Sequence, residues 1–171
     1  MTEVAKQVKK ADSVYWYITG DGANIVSDTH FIFRFYGVCD ALFTRFQRRP
    51  EDVPLCSMKG REVFETATIR ECFEKFLDAE QNAECADTRL TYEATGRGAK
   101  PVRVIYSQCR DTRSFVYIAA DYFACIAQAA TITQEAASGK KPVTFQNYEE
   151  TEKAVILPVT VTEKPFGLAE I

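Results

Sequence analysis

Histidine is nearly absent from this chain: His30 is the only one in 171 residues. Acid–base work at neutral pH leans on an imidazole more than on any other side chain. Ser–His and Cys–His catalysis are therefore confined to a single position. Metal binding is disfavoured too, because no two Cys or His residues stand at ligand spacing. The six cysteines, at 39, 56, 72, 85, 109 and 125, include no CxxC pair. Met1 to Asp12 is polar and has no apolar h-region, so no export signal is expected. The thiols then read as reduced and the protein as cytoplasmic. No apolar run approaches the ~18 residues of a membrane span. An excess of basic charge is also missing: 21 Lys and Arg face 24 Asp and Glu, a net charge of −3. With a pI near 5.3 there is no global footprint for nucleic acid or for an anionic membrane. Gly20-Asp21-Gly22 and Gly96-Arg97-Gly98 lack the longer spacing and the Lys-Ser/Thr of a phosphate loop, and read as hairpin turns.

What is present is an ordinary folded composition, 46% hydrophobic and 26% charged, at a length that suits one domain. Val4, Val8 and Ala11 are spaced for a short N-terminal helix. Val14 to Thr19 is aromatic and β-branched and reads as a strand, turning at Gly20 to Asn24 into a second at Ile25. Phe31 to Phe46 has mixed spacing and reads as short helices. Arg48 to Ser57 holds Pro50 and Pro54 and reads as a loop. Thr68 and Glu71 form a capping-box pattern before a helix whose Ile69, Cys72, Phe73, Phe76 and Leu77 make one apolar stripe. Three strand-like runs follow: Thr88 to Thr95, Pro101 to Cys109 and Ser114 to Asp121. Alanine-rich Phe123 to Ala137 reads as a helix stopped near Gly139. Pro158 restricts Ala154 to Val161 to an edge strand or an extended arm. Strands with segregated helices describe an α+β fold with an antiparallel sheet.

Four of these segments, in this order, resemble a PAS domain. Tyr15 to Val26 (YWYITGDGANIV) resembles its opening hairpin. Met58 to Glu65 (MKGREVFE) resembles the segment before its long helix. Pro101 to Cys109 and Phe115 to Asp121 (FVYIAAD) resemble its last two strands, with Asp121 where such domains hand over to an output helix. The resemblance covers about residues 13–123, with Tyr122-Phe123 in place of the usual Ile-Thr. It implies a five-stranded antiparallel sheet with helices on one face. An N-terminal helix (1–12) and a C-terminal helix with an extended tail (124–171) would flank it. It also implies a non-catalytic sensor or protein-interaction module of signal transduction, reporting through its flanking helices, with Asp121 in signal transmission.

The aromatic residues, 12% of the chain, are the candidate ligand contacts: Trp16, Phe31, Phe33, Phe35, Phe64, Phe73, Phe76 and Tyr106. They either line a pocket for a small apolar ligand or fill a solid core. No particular cofactor is indicated, and no catalytic or metal residue is assigned. The expected partners are a small apolar ligand, a second copy of the chain or a signalling protein, with no nucleic acid and no membrane. Two rival readings stand beside this one: a ligand-binding or enzymatic α+β barrel whose aromatics line a cavity, and a structural or assembly protein. Cysteines read as small buried apolar residues, Cys72 among them on the helix stripe. His30 reads as a surface residue, and Arg45, Arg48 and Arg49 as a solvated loop edge.

Overall fold

The computed structural model describes residues 2–47, 55–58, 62–65, 67–78, 87–95, 101–109, 112–126, 129–134, 142–147, 149 and 151–159. Helix α1 (Thr2–Lys10) leads into β1 (Ser13–Ile18), β2 (Asn24–Ser27) and β3 (Phe31–Phe35). Then come α2 (Asp40–Phe46), β4 (Leu55–Met58), β5 (Glu62–Glu65) and α3 (Ala67–Asp78). A three-strand run, β6 (Asp87–Thr95), β7 (Pro101–Cys109) and β8 (Thr112–Ala119), precedes the short α4 (Ala120–Phe123). The last strands are β9 (Ala129–Gln134), β10 (Val143–Asn147) and β11 (Lys153–Ile156).

The protein is α+β, and among the described residues every strand pairing is antiparallel. Eight strands form one sheet in the order β5-β4-β1-β2-β3-β11-β10-β9, while β6-β7-β8 form a second. The five strands expected in a single sheet are thus divided, with β1 and β2 in the large sheet and the other three in the small one. The expectation of helices on one face is also corrected, and β1 supplies the reason. Trp16, opposite Val26 and through it Phe33, belongs to a core completed by Val4 and Val8 of α1, Leu42 and Phe46 of α2, and Val116 and Ile118 of β8. Tyr17, Ile25, Ile32 and Val155 belong to a second core, closed by Phe73 and Leu77 of α3. Successive residues of a strand point to opposite faces. A run apolar at every position therefore has to be covered on both.

The same two-sided burial accounts for several misread segments. Phe31-Ile32-Phe33 is buried at three consecutive positions, so no alternation betrays β3. The segment read as short helices is a strand followed by α2. Leu55 to Ser57, at the end of the expected loop, is buried in β4, and β5 was not anticipated. Phe123 to Ala137 is not one helix: α4 stops at Phe123, and Ala129–Gln134 is the strand β9, a stretch that includes the strand-favouring residue types Thr and Ile at 131–133. β11 ends two residues before Pro158, so proline does not hold it at an edge, and it lies between β3 and β10. In α3, Phe73 and Leu77 are buried and Ile69 is half-buried, but Cys72 is exposed and Phe76 is 41% exposed. Cys72 therefore contradicts the buried-thiol reading. Thr68 lies inside α3 rather than at its cap.

Arg45 explains how α1 is held to the sheet. Its guanidinium donates to the carbonyls of Val8 (2.5 Å), Asp12 (3.1 Å) and Ser57 (3.2 Å), so one side chain joins α1, the entry to β1, and β4. The Val8 carbonyl lies in the last turn of α1, where acceptors at a helix end favour a cation. The reading of Arg45 as a solvated loop edge is thereby overturned; Arg48 and Arg49 lie outside the described residues.

The two aromatic positions of α3 should behave differently in urea unfolding at neutral pH. Phe73→Ala is expected to cost about 3 kcal/mol, as for a buried aromatic. Phe76→Ala should cost less than about 1 kcal/mol. Equal losses would mean that α3 sits in another rotation on the sheet.

Candidate functional site

The eight aromatic candidates do not form one lining. Trp16, Phe33 and Phe35 are fully buried on the α1–α2 face, with Phe31 beside them. Their rings touch other rings: Phe33–Phe35 at 5.3 Å between centroids, Trp16–Phe43 at 5.1 Å and Trp16–Phe46 at 5.5 Å. Trp16 Nε1 donates to Asn24 Oδ1 at 2.9 Å, and Asn24 Nδ2 donates to the Gly37 carbonyl at 2.9 Å, so the one polar atom of this ring is satisfied within the fold. Phe73 belongs to the opposite face and packs edge-on against Tyr15 at 5.7 Å. The side chains of Phe64, on β5, and Tyr106, on β7, lie outside the described residues.

Two of the candidates, Phe73 and Phe76, meet Phe31 in a cleft. Its walls are α3, the β2–β3 turn and Leu157, and it is lined by Ser27, Thr29, His30, Phe31, Ile32, Phe73, Phe76, Val155 and Leu157. Its volume is about 80 Å³. A water in the liquid occupies roughly 30 Å³, whereas pockets for drug-sized molecules run to ~300 Å³ and above. The cleft therefore suits one apolar side chain or a single small ring. Phe76 and Leu157 are each more than a third exposed, so its mouth opens to solvent.

The turn forming one wall of the cleft is strained. Thr29 has φ +78°, a left-handed conformation that a β-branched residue rarely adopts. Side chains hold it there. Ser27 Oγ accepts from Thr29 N at 3.0 Å, and Asp28 Oδ1 accepts from His30 N at 2.9 Å and Phe31 N at 3.1 Å. Asp28 thus caps the turn. His30 is exposed on the rim, and its carbonyl accepts from Leu157 N at 2.9 Å. Among the described residues, no group of three His, Cys, Asp or Glu is placed to hold a metal ion.

On the far side of α3 a second cleft, of about 120 Å³, is lined by Tyr17, Thr19, Ile25, Arg34, Glu74, Leu77 and Lys153. Its charges are engaged within the fold. Arg34 pairs with Asp21 at 2.6 Å, and Lys153 Nζ donates to the Leu77 carbonyl at 2.5 Å, at the end of α3. Hydrogen bonds from Thr19 and Tyr36, with Arg34 beside them, hold the Asp21 carboxyl far below the usual carboxylate range.

Asp121 lies in α4, against α1. Its carboxylate pairs with Lys10 at 3.3 Å and its carbonyl accepts from Gln7 Nε2 at 3.4 Å. The next residue, Tyr122, donates its hydroxyl to Asp28 Oδ2 at 2.5 Å and stacks its ring on Phe31 at 4.9 Å. The sequence carried little sign of Tyr122: it stood out only as a departure from the Ile-Thr pattern. Burial, then the bond to Asp28, pushes the Tyr122 hydroxyl well above the usual phenol range. Burial, then Glu3, pushes the Cys125 thiol up to about 12.

Both groups stay protonated in the folded chain at pH values where the unfolded chain loses its protons. Their contribution is therefore complete below about pH 9, the ordinary thiol value, and falls as pH rises from there toward 12. Melting temperature followed from pH 7 to 11 should decline above pH 9, and the decline should be shallower in Cys125→Ala. An identical decline in that variant would show that this thiol ionises freely in the folded state.

No helix of the described residues is long and apolar enough to cross a membrane. No family model, curated protein or solved structure matches the chain, and its own geometry carries the functional reading.

Proposed function

We propose that this chain is a non-catalytic sensory or protein-interaction module that takes an apolar side chain of a partner protein into the cleft between α3 and the β2–β3 turn. One observation carries the reading: the apolar stripe of α3 is only half covered, leaving Phe76 exposed at 41% beside a cleft walled by Phe31, Phe73, Val155 and Leu157. Exposed aromatics next to a preformed slot are what interaction hot spots use. The volume, about 80 Å³, favours a single side chain over a small-molecule ligand. The resemblance of Tyr15–Val26, Met58–Glu65 and Pro101–Asp121 to PAS segments supports a sensory role. The contacts of Asp121 with α1 support a part in transmission for that residue.

Peptides selected from a random library on the folded protein should share one aromatic or branched aliphatic anchor. Their binding should shift the NMR signals of Val155 and Leu157, and Phe76→Glu should weaken it at least tenfold. A stoichiometric small molecule released from the purified native protein, with no peptide mapping to this cleft, would favour a ligand sensor instead.

A further inference from the structure

Tyr122 contacts Phe31, a core residue that also lines the cleft, and sits beside the α1 junction. Its ring stacks on Phe31, a wall of the cleft, with the planes 13° apart. Its hydroxyl bonds Asp28 Oδ2, while Asp28 Oδ1 holds the backbone of His30 and Phe31 in the strained turn. One carboxylate therefore fixes both the cleft wall and the position of α4. The residue before Tyr122 is Asp121, which holds Lys10 and Gln7 of α1. Helix α1 in turn covers the large core with Val4 and Val8, both almost fully buried.

We propose that occupancy of the cleft is coupled to the docking of α1 through Tyr122, a regulation that rests on the binding reading above. The two states are α1 docked on α4 and α1 released. An occupant packs on Phe31 and the Thr29 turn, and so needs them in the arrangement that Asp28 and Tyr122 maintain. That arrangement also keeps Asp121 in place for Lys10 and Gln7. The occupant consequently binds the docked state better, and linkage requires a docked α1 to raise affinity for the occupant by the same factor. Tyr122 is here a positioning residue: it contacts the wall of the cleft and acts through it.

Toluene, a single apolar ring, serves as the probe. In the wild-type protein, toluene should shift the NMR signals of Val155 and Leu157 and slow amide hydrogen exchange from Gln7 to Ala11 at least fivefold. Tyr122→Phe keeps the stacked ring and removes the hydroxyl. Toluene should still shift the cleft signals in this variant, while the slowing in α1 disappears. Asp28→Asn, which weakens the same hydrogen bond from its other end, should reduce the slowing and serves if Tyr122→Phe fails to fold. Equal slowing in the wild type and in the variants, or cleft shifts with no α1 response in the wild type, would overturn the coupling alone. No shift at Val155 and Leu157 in the wild type would overturn the binding reading together with the coupling.

Discussion

The structure depends on one constraint: β1 presents large side chains to both faces of its sheet and both have to be kept from water. Trp16 and Tyr17 are adjacent, and each is fully buried. Burying a side chain of this size is worth roughly 2–3 kcal/mol. Exposing either face would thus cost a substantial part of a domain's ordinary stability of ~5–15 kcal/mol. The chain meets the requirement with two unequal covers. On one face α1, α2 and β8 close a core of many residues; on the other, α3 supplies Phe73 and Leu77.

The candidate site follows from that inequality. A helix of 12 residues cannot cover a whole face of an eight-stranded sheet. Phe76 and Cys72 remain exposed on α3, and a cleft persists where α3 meets the β2–β3 turn. Strain at Thr29 falls on the wall of this cleft. Backbone strain persists only where surrounding contacts overdetermine it. Here Ser27 and Asp28 do so locally, and Tyr122 fixes Asp28 from the far side of the turn. Cleft, turn and α1 thus share a few charged and aromatic side chains instead of being independent features.

Local pattern made the α+β class, α1, the opening hairpin, α3 and the β6–β8 run legible in the sequence, because each has its own period or turn chemistry. Sheet membership was not legible. The connections within β6–β8 suit hairpins, but nothing in Pro101 to Asp121 says that this run forms a sheet apart from β1. Nor does anything in Lys153 to Ile156 say that they reach β3, more than a hundred residues away. The site was legible in part: Phe73 and Phe76 were among the candidates, but they were grouped with Trp16, Phe31, Phe33 and Phe35, which belong to the other core, Phe31 alone of these also lining the cleft. Asp28, Tyr122 and Arg45 were missed because their partners are distant in sequence, and a single polar residue shows no periodicity.

Cross-strand proton contacts measured by NMR on the native chain test the central claim, that β1–β2–β3 is continued by β4 on one side and β11 on the other. The account predicts contacts between Tyr15 and Cys56 and between Phe33 and Ala154, register partners in the sheet. Contacts joining Ser13–Ile18 directly to Thr112–Ala119 as neighbouring strands would contradict it, and would put the eight-stranded sheet and both of its covers in the wrong place.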